Sequence, residues 1–132
     1  YKVLCTEPEA YAALPQSPQM RVFTPIDLGM PVLSHTPHIV FAGPYHRNVQ
    51  GIDRVTDVFM GPAADARAKM VAMGADHMVY CQGLNETARY GRLRPEGFGA
   101  LMETGAVPDW LVPVDRLAET DGEVRLYRIV RD

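Results

Sequence analysis

Four adjacent polar side chains have the residue types that bind anions or transfer protons. Between the apolar stretch HIVFAG and a helix-like pattern lie Tyr45, His46, Arg47 and Asn48. Asn48 is placed to cap that helix, so the guanidinium of Arg47 would lie beside free backbone amides. An arginine beside such amides can hold a carboxylate or a phosphate, and His46 can add a proton or a hydrogen bond. The segment therefore predicts a ligand contact.

Two other interpretations of this segment stay open. In a structural one, Arg47 pairs with Asp27, the ring of Tyr45 packs over a sheet, and the domain is a purely structural or assembly module. In a catalytic one, His46 is a general base whose ring is oriented by Asp27, in a small freestanding α/β enzyme. The chain has no glycine-rich phosphate or dinucleotide loop and no G-x-S-x-G elbow, so we expect the domain alone to be non-catalytic.

The histidines raise the question of a metal site, which the predicted strands disfavour. His35, His38 and His46 would supply enough imidazoles for a catalytic zinc. However, His38 begins the stretch HIVFAG and His46 follows it, so the extended chain separates them by roughly 25 Å. His35, His38 and His77 could still meet at the opposite edge of the sheet, because His38 and His77 each begin a strand. We expect structural histidines, no metal and no cofactor.

Length and composition indicate one domain over residues 1–132. With 47% hydrophobic residues the chain can bury an ordinary core. Its net charge is −3 and its basic residues are scattered, which argues against binding nucleic acid. It starts at Tyr1 without a leader and contains no apolar run near the roughly 18 residues of a membrane span. We expect a domain of a larger protein or a processed chain.

The two cysteines lie far apart in the sequence and belong to no close-spaced metal or redox motif. Cys5 and Cys81 are therefore either a disulfide, which would imply an oxidising compartment, or two buried thiols.

Hydrophobic periodicity predicts alternating strands and helices. The predicted strands are 20–26, 38–43, 76–81, 109–114 and 123–130, and the predicted helices are 7–14, 48–60, 62–73 and 95–105. A helical turn or two could fit in 30–36, and the polar residues 82–94, with two glycines, predict a surface loop. A lone tryptophan, Trp110, more often belongs to a core than to a sugar site.

This order predicts an α/β fold with a small three-stranded parallel sheet, flanking helices and a C-terminal antiparallel strand pair. Ligands of parallel sheets bind beyond the carboxyl ends of the strands. Three segments reach that edge. They are PIDLG with Asp27, the segment GPYHRN, and CQGLNE with Asn85.

The succession TPIDLGMPVLSHTPHIVFAGPYHRNVQGI, followed by GADHMVYCQG, GAVPDWLVPV and VRLYRIV, resembles a known class of domain. The resemblance is to soluble C-terminal domains of large bacterial polytopic membrane proteins related to lipid-linked-sugar and arabinose-transferase-like glycosyltransferases. It extends from about residue 20 onward. Its most specific part is HTPH together with PYHRN.

The resemblance implies a domain at the periplasmic face of the bacterial inner membrane, attached to its own transmembrane region. A lipid-linked sugar or glycan would be a second partner. Catalytic acids of such transferases lie in the membrane region, so none is carried over to this chain. The resemblance also favours a disulfide between Cys5 and Cys81. The predicted ligand-binding residues remain Asp27, Tyr45, His46, Arg47 and Asn48.

Overall fold

A computed structural model describes residues 5–6, 11, 18–41, 49–116 and 124–131 of the chain. The strands in these ranges are β1 (Arg21–Phe23), β2 (Ile39–Val40), β3 (His77–Tyr80), β4 (Leu111–Arg116) and β5 (Arg125–Ile129). The helices are α1 (Ile26–His35), α2 (Val49–Met60), α3 (Ala63–Met73), α4 (Asn85–Leu93) and α5 (Phe98–Glu103). Most of the predicted helix at 7–14 lies outside the described residues.

The strands form one mixed sheet in the order β2-β1-β3-β5-β4. Strand β1 pairs in parallel with β2 and β3, and β5 pairs antiparallel with β3 and β4. The predicted α/β fold, a three-stranded parallel sheet extended by a C-terminal antiparallel pair, is therefore confirmed. Within the described ranges, no helix has the length and apolar character needed to cross a membrane.

Neighbouring residues of β1 and of β3 point into different cores, one on each face of the sheet. In β1, Val22 packs with Leu28 and Val32 of α1, whereas the next residue, Phe23, packs with residues of α2, α3 and α5. In β3 the same alternation places Val79 in the first core. Helices therefore cover both faces, and α1 lies on the opposite face from the helices that follow β2.

Phe59 of α2 lies at the centre of the larger core. Its ring stacks on Tyr90 with centroids 5.1 Å apart and on Phe98 at 5.9 Å, and it contacts Phe23 at 5.4 Å. Phe98 in turn stacks on Trp110 at 5.8 Å. The structure thus places the tryptophan against the core, as predicted.

A disulfide joins Cys5 to Cys81, with their Cα atoms 6.5 Å apart. Cys81 directly follows β3, the central strand, and both cysteines are buried in the core on the α1 face. The hydroxyl of Tyr11 donates a hydrogen bond to the carbonyl oxygen of Cys5 at 2.7 Å. The pairing favoured by the resemblance is confirmed, and it fixes the N-terminal segment to the middle of the sheet.

The segment after β1 differs from its prediction. The strand was predicted to reach residue 26, with a loop at PIDLG and only a turn or two of helix after it. Instead α1 begins at Ile26 and continues for 10 residues with Pro31 inside it. Leu28 and Val32 lie one turn apart and are both fully buried. Their burial outweighs the backbone hydrogen bond that the proline removes.

Residues 82–94 were predicted as a surface loop, and this is wrong, because Asn85–Leu93 form α4. The inward face of α4 carries Thr87 and Tyr90, both buried, instead of a run of aliphatic residues. Tertiary contacts of polar and aromatic side chains therefore hold a helix that apolar periodicity does not predict.

The close contact of α5 with α2 and α4 depends on Gly99. A Cβ atom at this position would lie 2.8 Å from Tyr90 Cβ and 3.0 Å from the carbonyl oxygen of Phe59. We therefore expect Gly99→Ala to lower the free energy of unfolding by about 1.5 kcal/mol, because the helices must move apart. Urea denaturation followed by circular dichroism measures this change.

Gly91 is the matched control, since it also lies in a helix that contacts α5. Its added Cβ would meet Ala100 Cα at 3.6 Å, an ordinary contact. Gly91→Ala should therefore leave stability unchanged or raise it by up to about 1 kcal/mol through helix propensity. Equal effects of the two substitutions would contradict the packing role of Gly99.

Candidate functional site

The carboxyl ends of β1 and β3 form the edge where a ligand site is expected. Strand β1 continues into α1 on one face of the sheet, and β3 continues into α4, which packs on the other. Connections that leave neighbouring parallel strands toward opposite faces open a crevice between them, and ligands of α/β proteins bind there. The first turns of α1 and α4 border this crevice.

Glu86 in the first turn of α4 links the two helices across the crevice. Its Oε2 accepts a hydrogen bond from the backbone N–H of Ile26, and its Oε1 accepts one from the backbone N–H of Asp27, each at 2.8 Å. The hydroxyl of Tyr90 donates a third bond to Oε2 at 2.5 Å. The carboxylate thus occupies the free amides at the start of α1, the position at which helices bind anions.

Burial raises the pKa of Glu86, although the hydrogen bonds from Tyr90 and from the backbone of Asp27 and Ile26 act in the opposite direction. The charge of Asp27 adds to the increase. Burial also raises the pKa of Tyr90 above its ordinary value, and the neighbouring Glu86 raises it further. The phenol therefore stays protonated and keeps donating to the carboxylate.

A cavity of about 500 Å³ opens beside this linkage. Its polar wall includes Asp27, Thr56, Asn85 and Arg89, and its apolar wall includes Ile26, Met60 and Leu93. Asn85, Glu86, Arg89, Tyr90 and Leu93 recur at three and four residues along α4, which places them along one side of the helix.

The structure brings together two residues predicted at this edge, because Asp27 and Asn85 both line the cavity. Tyr45, His46, Arg47 and Asn48 lie outside the described residues. A pair of Arg47 with Asp27, and a general base formed by His46 with Asp27, therefore stay predictions.

Sequence reasoning missed Glu86, Arg89 and Tyr90. The spacing of Asn85 and Arg89, and of Glu86 and Tyr90, is four residues in each case, which is the spacing of neighbours on a helix surface. This four-residue spacing can be seen in the sequence, but polar side chains form it and Gly91 interrupts it. The segment is recognised as a helix that lines the site only from its contacts with α1, which the sequence does not show.

The opposite edge of the sheet holds two of the histidines considered for a metal site. His38 is buried, and its Nδ1 accepts a hydrogen bond from the backbone N–H of Met20 at 2.9 Å. His77 Nδ1 lies 2.7 Å from Asp76 Oδ1. Across the described part of the chain, no three side chains of His, Cys, Asp or Glu form a group that could hold a metal ion.

A second, smaller cavity of about 260 Å³ lies between the end of α5 and the strands β3, β4 and β5. Glu103 beside it accepts hydrogen bonds from the hydroxyl of Tyr80 at 2.5 Å and from the backbone N–H of Gly83 at 2.8 Å. This carboxylate therefore links α5 to the end of β3 and has a structural role. The larger cavity, beside Glu86, remains the candidate site.

Comparison with known proteins identifies a similar fold. The sequence matches no protein-family model and no curated protein. Among solved structures, the chain resembles the C-terminal globular domain of an oligosaccharyltransferase from Archaeoglobus fulgidus, with a TM-score of 0.61 and 11% sequence identity. The match covers 92% of each chain. At this identity the likeness shows a shared fold.

Proposed function

We propose that the chain is a non-catalytic extracytoplasmic domain of a glycosyltransferase-like integral membrane protein, attached to that protein's own transmembrane region. The observation that carries this proposal is the fold shared, over 92% of both chains, with the C-terminal globular domain of an oligosaccharyltransferase. The match covers nearly the whole of both chains, so it concerns the whole arrangement of the domain and not only a common sheet.

The disulfide supports a location outside the cytoplasm. Bonds such as Cys5–Cys81 form and persist in oxidising compartments, including the bacterial periplasm, and are rare where cytosolic thiols are kept reduced. We therefore place the domain at the periplasmic face of the inner membrane.

The carboxyl edge of the sheet is the proposed contact with a sugar phosphate, such as that of a lipid-linked sugar, or with a glycan. Asp27 at this edge borders the cavity, and Tyr45, His46, Arg47 and Asn48 are proposed to join it. The half-buried carboxylate of Glu86 is engaged in three hydrogen bonds, which suits a positioning role better than proton transfer. This supports a binding function for the domain.

Topology reporters test the location. We expect alkaline phosphatase fused after Asp132, in the protein expressed from its own gene, to be active, and green fluorescent protein at the same position to be dark. Both fusions should sediment with the membrane fraction. Bright fluorescence, or a fusion that stays in the soluble fraction, would overturn the proposed function.

A further inference from the structure

We propose that the cavity between α1 and α4 binds the neutral, hydroxyl-bearing ring of a sugar and not a phosphate group. The inference rests on the proposed function, whose ligand it narrows from a sugar phosphate or glycan to the sugar ring. It also adds Asn85 and Arg89 as ligand-binding residues. The cavity lies at the crevice where α1 and α4 leave neighbouring strands toward opposite faces.

The cavity offers a poor place for an anion. The backbone amides of Ile26 and Asp27, which could otherwise hold a phosphate, already donate to Glu86. The side chain of Asp27 is exposed at the same place and adds a second carboxylate. A phosphate in the cavity would therefore meet the carboxylates of Asp27 and Glu86, which the single guanidinium of Arg89 cannot both offset, and no free amide of Ile26 or Asp27.

The other polar groups of the cavity suit the hydroxyls of a sugar. In the part of the chain that the structure describes, the side chains of Asn85 and Arg89 make no hydrogen bond or ion pair, and Asp27 and Arg89 form no salt bridge with each other. A carboxylate accepts hydrogen bonds from hydroxyls, a guanidinium donates them, and an amide does both. The three groups are thus free to bind adjacent hydroxyls of one ring.

The apolar wall of the cavity suits the C–H faces of a sugar ring. Leu93 is 48% exposed, and Met60 and Ile26 are partly buried beside it. A sugar ring carries C–H groups on its faces and hydroxyls around its rim, so it can cover apolar side chains while its hydroxyls reach the polar wall. The exposed leucine is then part of the site.

Size and charge agree with this ligand. A volume of about 500 Å³ lies within the range of roughly 300–1,000 Å³ found for small-molecule sites. With Glu86 engaged by the start of α1, the charges of Asp27 and Arg89 offset each other, which favours a neutral ligand over a charged one.

Nuclear magnetic resonance of the ¹⁵N-labelled chain tests the inference with defined probes. The probes are the methyl glycosides of mannose, glucose and galactose, inorganic phosphate, and Nα-acetyl-lysine amide as a cation. We expect at least one glycoside to shift the amide signals of Thr56, Asn85 and Arg89 at millimolar concentration. Phosphate and the lysine derivative should leave these signals in place.

Substitutions identify the binding residues. Arg89→Ala and Asn85→Ala should each weaken binding of that glycoside about fivefold, because each removes hydrogen bonds to the ring. Arg92→Ala is the matched control, since Arg92 lies on α4, is exposed and does not line the cavity. The Arg92→Ala variant should bind the glycoside with the same affinity as the unaltered chain.

Three results would overturn the inference: no glycoside shifts these signals, phosphate or the lysine derivative shifts them instead, or Arg89→Ala and Arg92→Ala bind alike. The topology reporters separate this failure from that of the proposed function. A membrane-bound, extracytoplasmic domain that ignores all three glycosides refutes the inference alone, whereas a soluble cytoplasmic chain that binds them refutes the proposed function alone.

Discussion

Replacing both Cys5 and Cys81 by alanine is expected to lower the free energy of unfolding by about 4 kcal/mol. The disulfide spans a sequence separation of 76 residues, so it strongly restricts the unfolded chain. In a domain of this size the loss corresponds to a decrease of about 15 °C in the midpoint of thermal unfolding. The variant should therefore be the least stable of those considered.

Calorimetry of the double variant and of the unaltered chain, each with and without reductant, measures the effect. Reductant should lower the midpoint of the unaltered chain to nearly that of the variant and should leave the variant unchanged. If reductant and substitution both leave the midpoint in place, the disulfide does not contribute to stability as expected.

Glu86→Ala is expected to lower the free energy of unfolding by about 3 kcal/mol, the second largest effect. The substitution removes the acceptor of three hydrogen bonds and leaves the amides of Ile26 and Asp27 and the hydroxyl of Tyr90 without this partner. Each such group costs about 1 kcal/mol or more when its partner is lost. Urea denaturation at neutral pH gives the value.

The pH dependence isolates the contribution of the charge. Because the pKa of Glu86 is raised in the folded state, the folded chain binds the proton more tightly than the unfolded chain. This stabilisation is complete below the ordinary value of 4.5 and is lost as pH rises through the raised folded pKa. Glu86→Gln lacks this stabilisation by proton binding, so the substitution should lower the free energy of unfolding more at acidic than at neutral pH.

Glu96→Gln is the control for replacing a glutamate by glutamine, since Glu96 is exposed and makes no hydrogen bond with another described residue. At neutral pH its free energy of unfolding should stay within about 0.5 kcal/mol of that of the unaltered chain. If Glu86→Gln matches the unaltered chain at both acidic and neutral pH, the carboxylate does not link α4 to α1 as the geometry indicates.

The elements predicted well from the sequence are those held by apolar periodicity. Helices α2 and α3 and strand β3 begin and end within about two residues of their predicted bounds. Gly74 after α3 and Gly105 after α5 adopt positive φ angles of 92° and 82° at the predicted helix ends. In these segments, local preference and burial in the core favour the same structure.

The candidate site was predicted only in part, because its binding groups depend on contacts between distant segments. The rule that ligands bind beyond parallel strands places Asp27 and Asn85 at the correct edge. It does not reveal that Glu86 occupies the start of α1, since that contact joins residues about 60 apart. The proposed narrowing of the ligand from a sugar phosphate to a sugar ring rests largely on this contact and on the neighbouring carboxylate of Asp27.

The disulfide also has a mechanical consequence. A pull on the chain ahead of Cys5 passes through the sulfur atoms directly to Cys81 and so to β3, which is hydrogen-bonded to β1 on one side and β5 on the other. The 75 residues between the two cysteines form a loop that the disulfide closes, so this pull cannot extend them. If the transmembrane region of the proposed parent protein moves and pulls on this end of the domain, the force reaches the middle of the sheet. It does not unfold the domain from its edge.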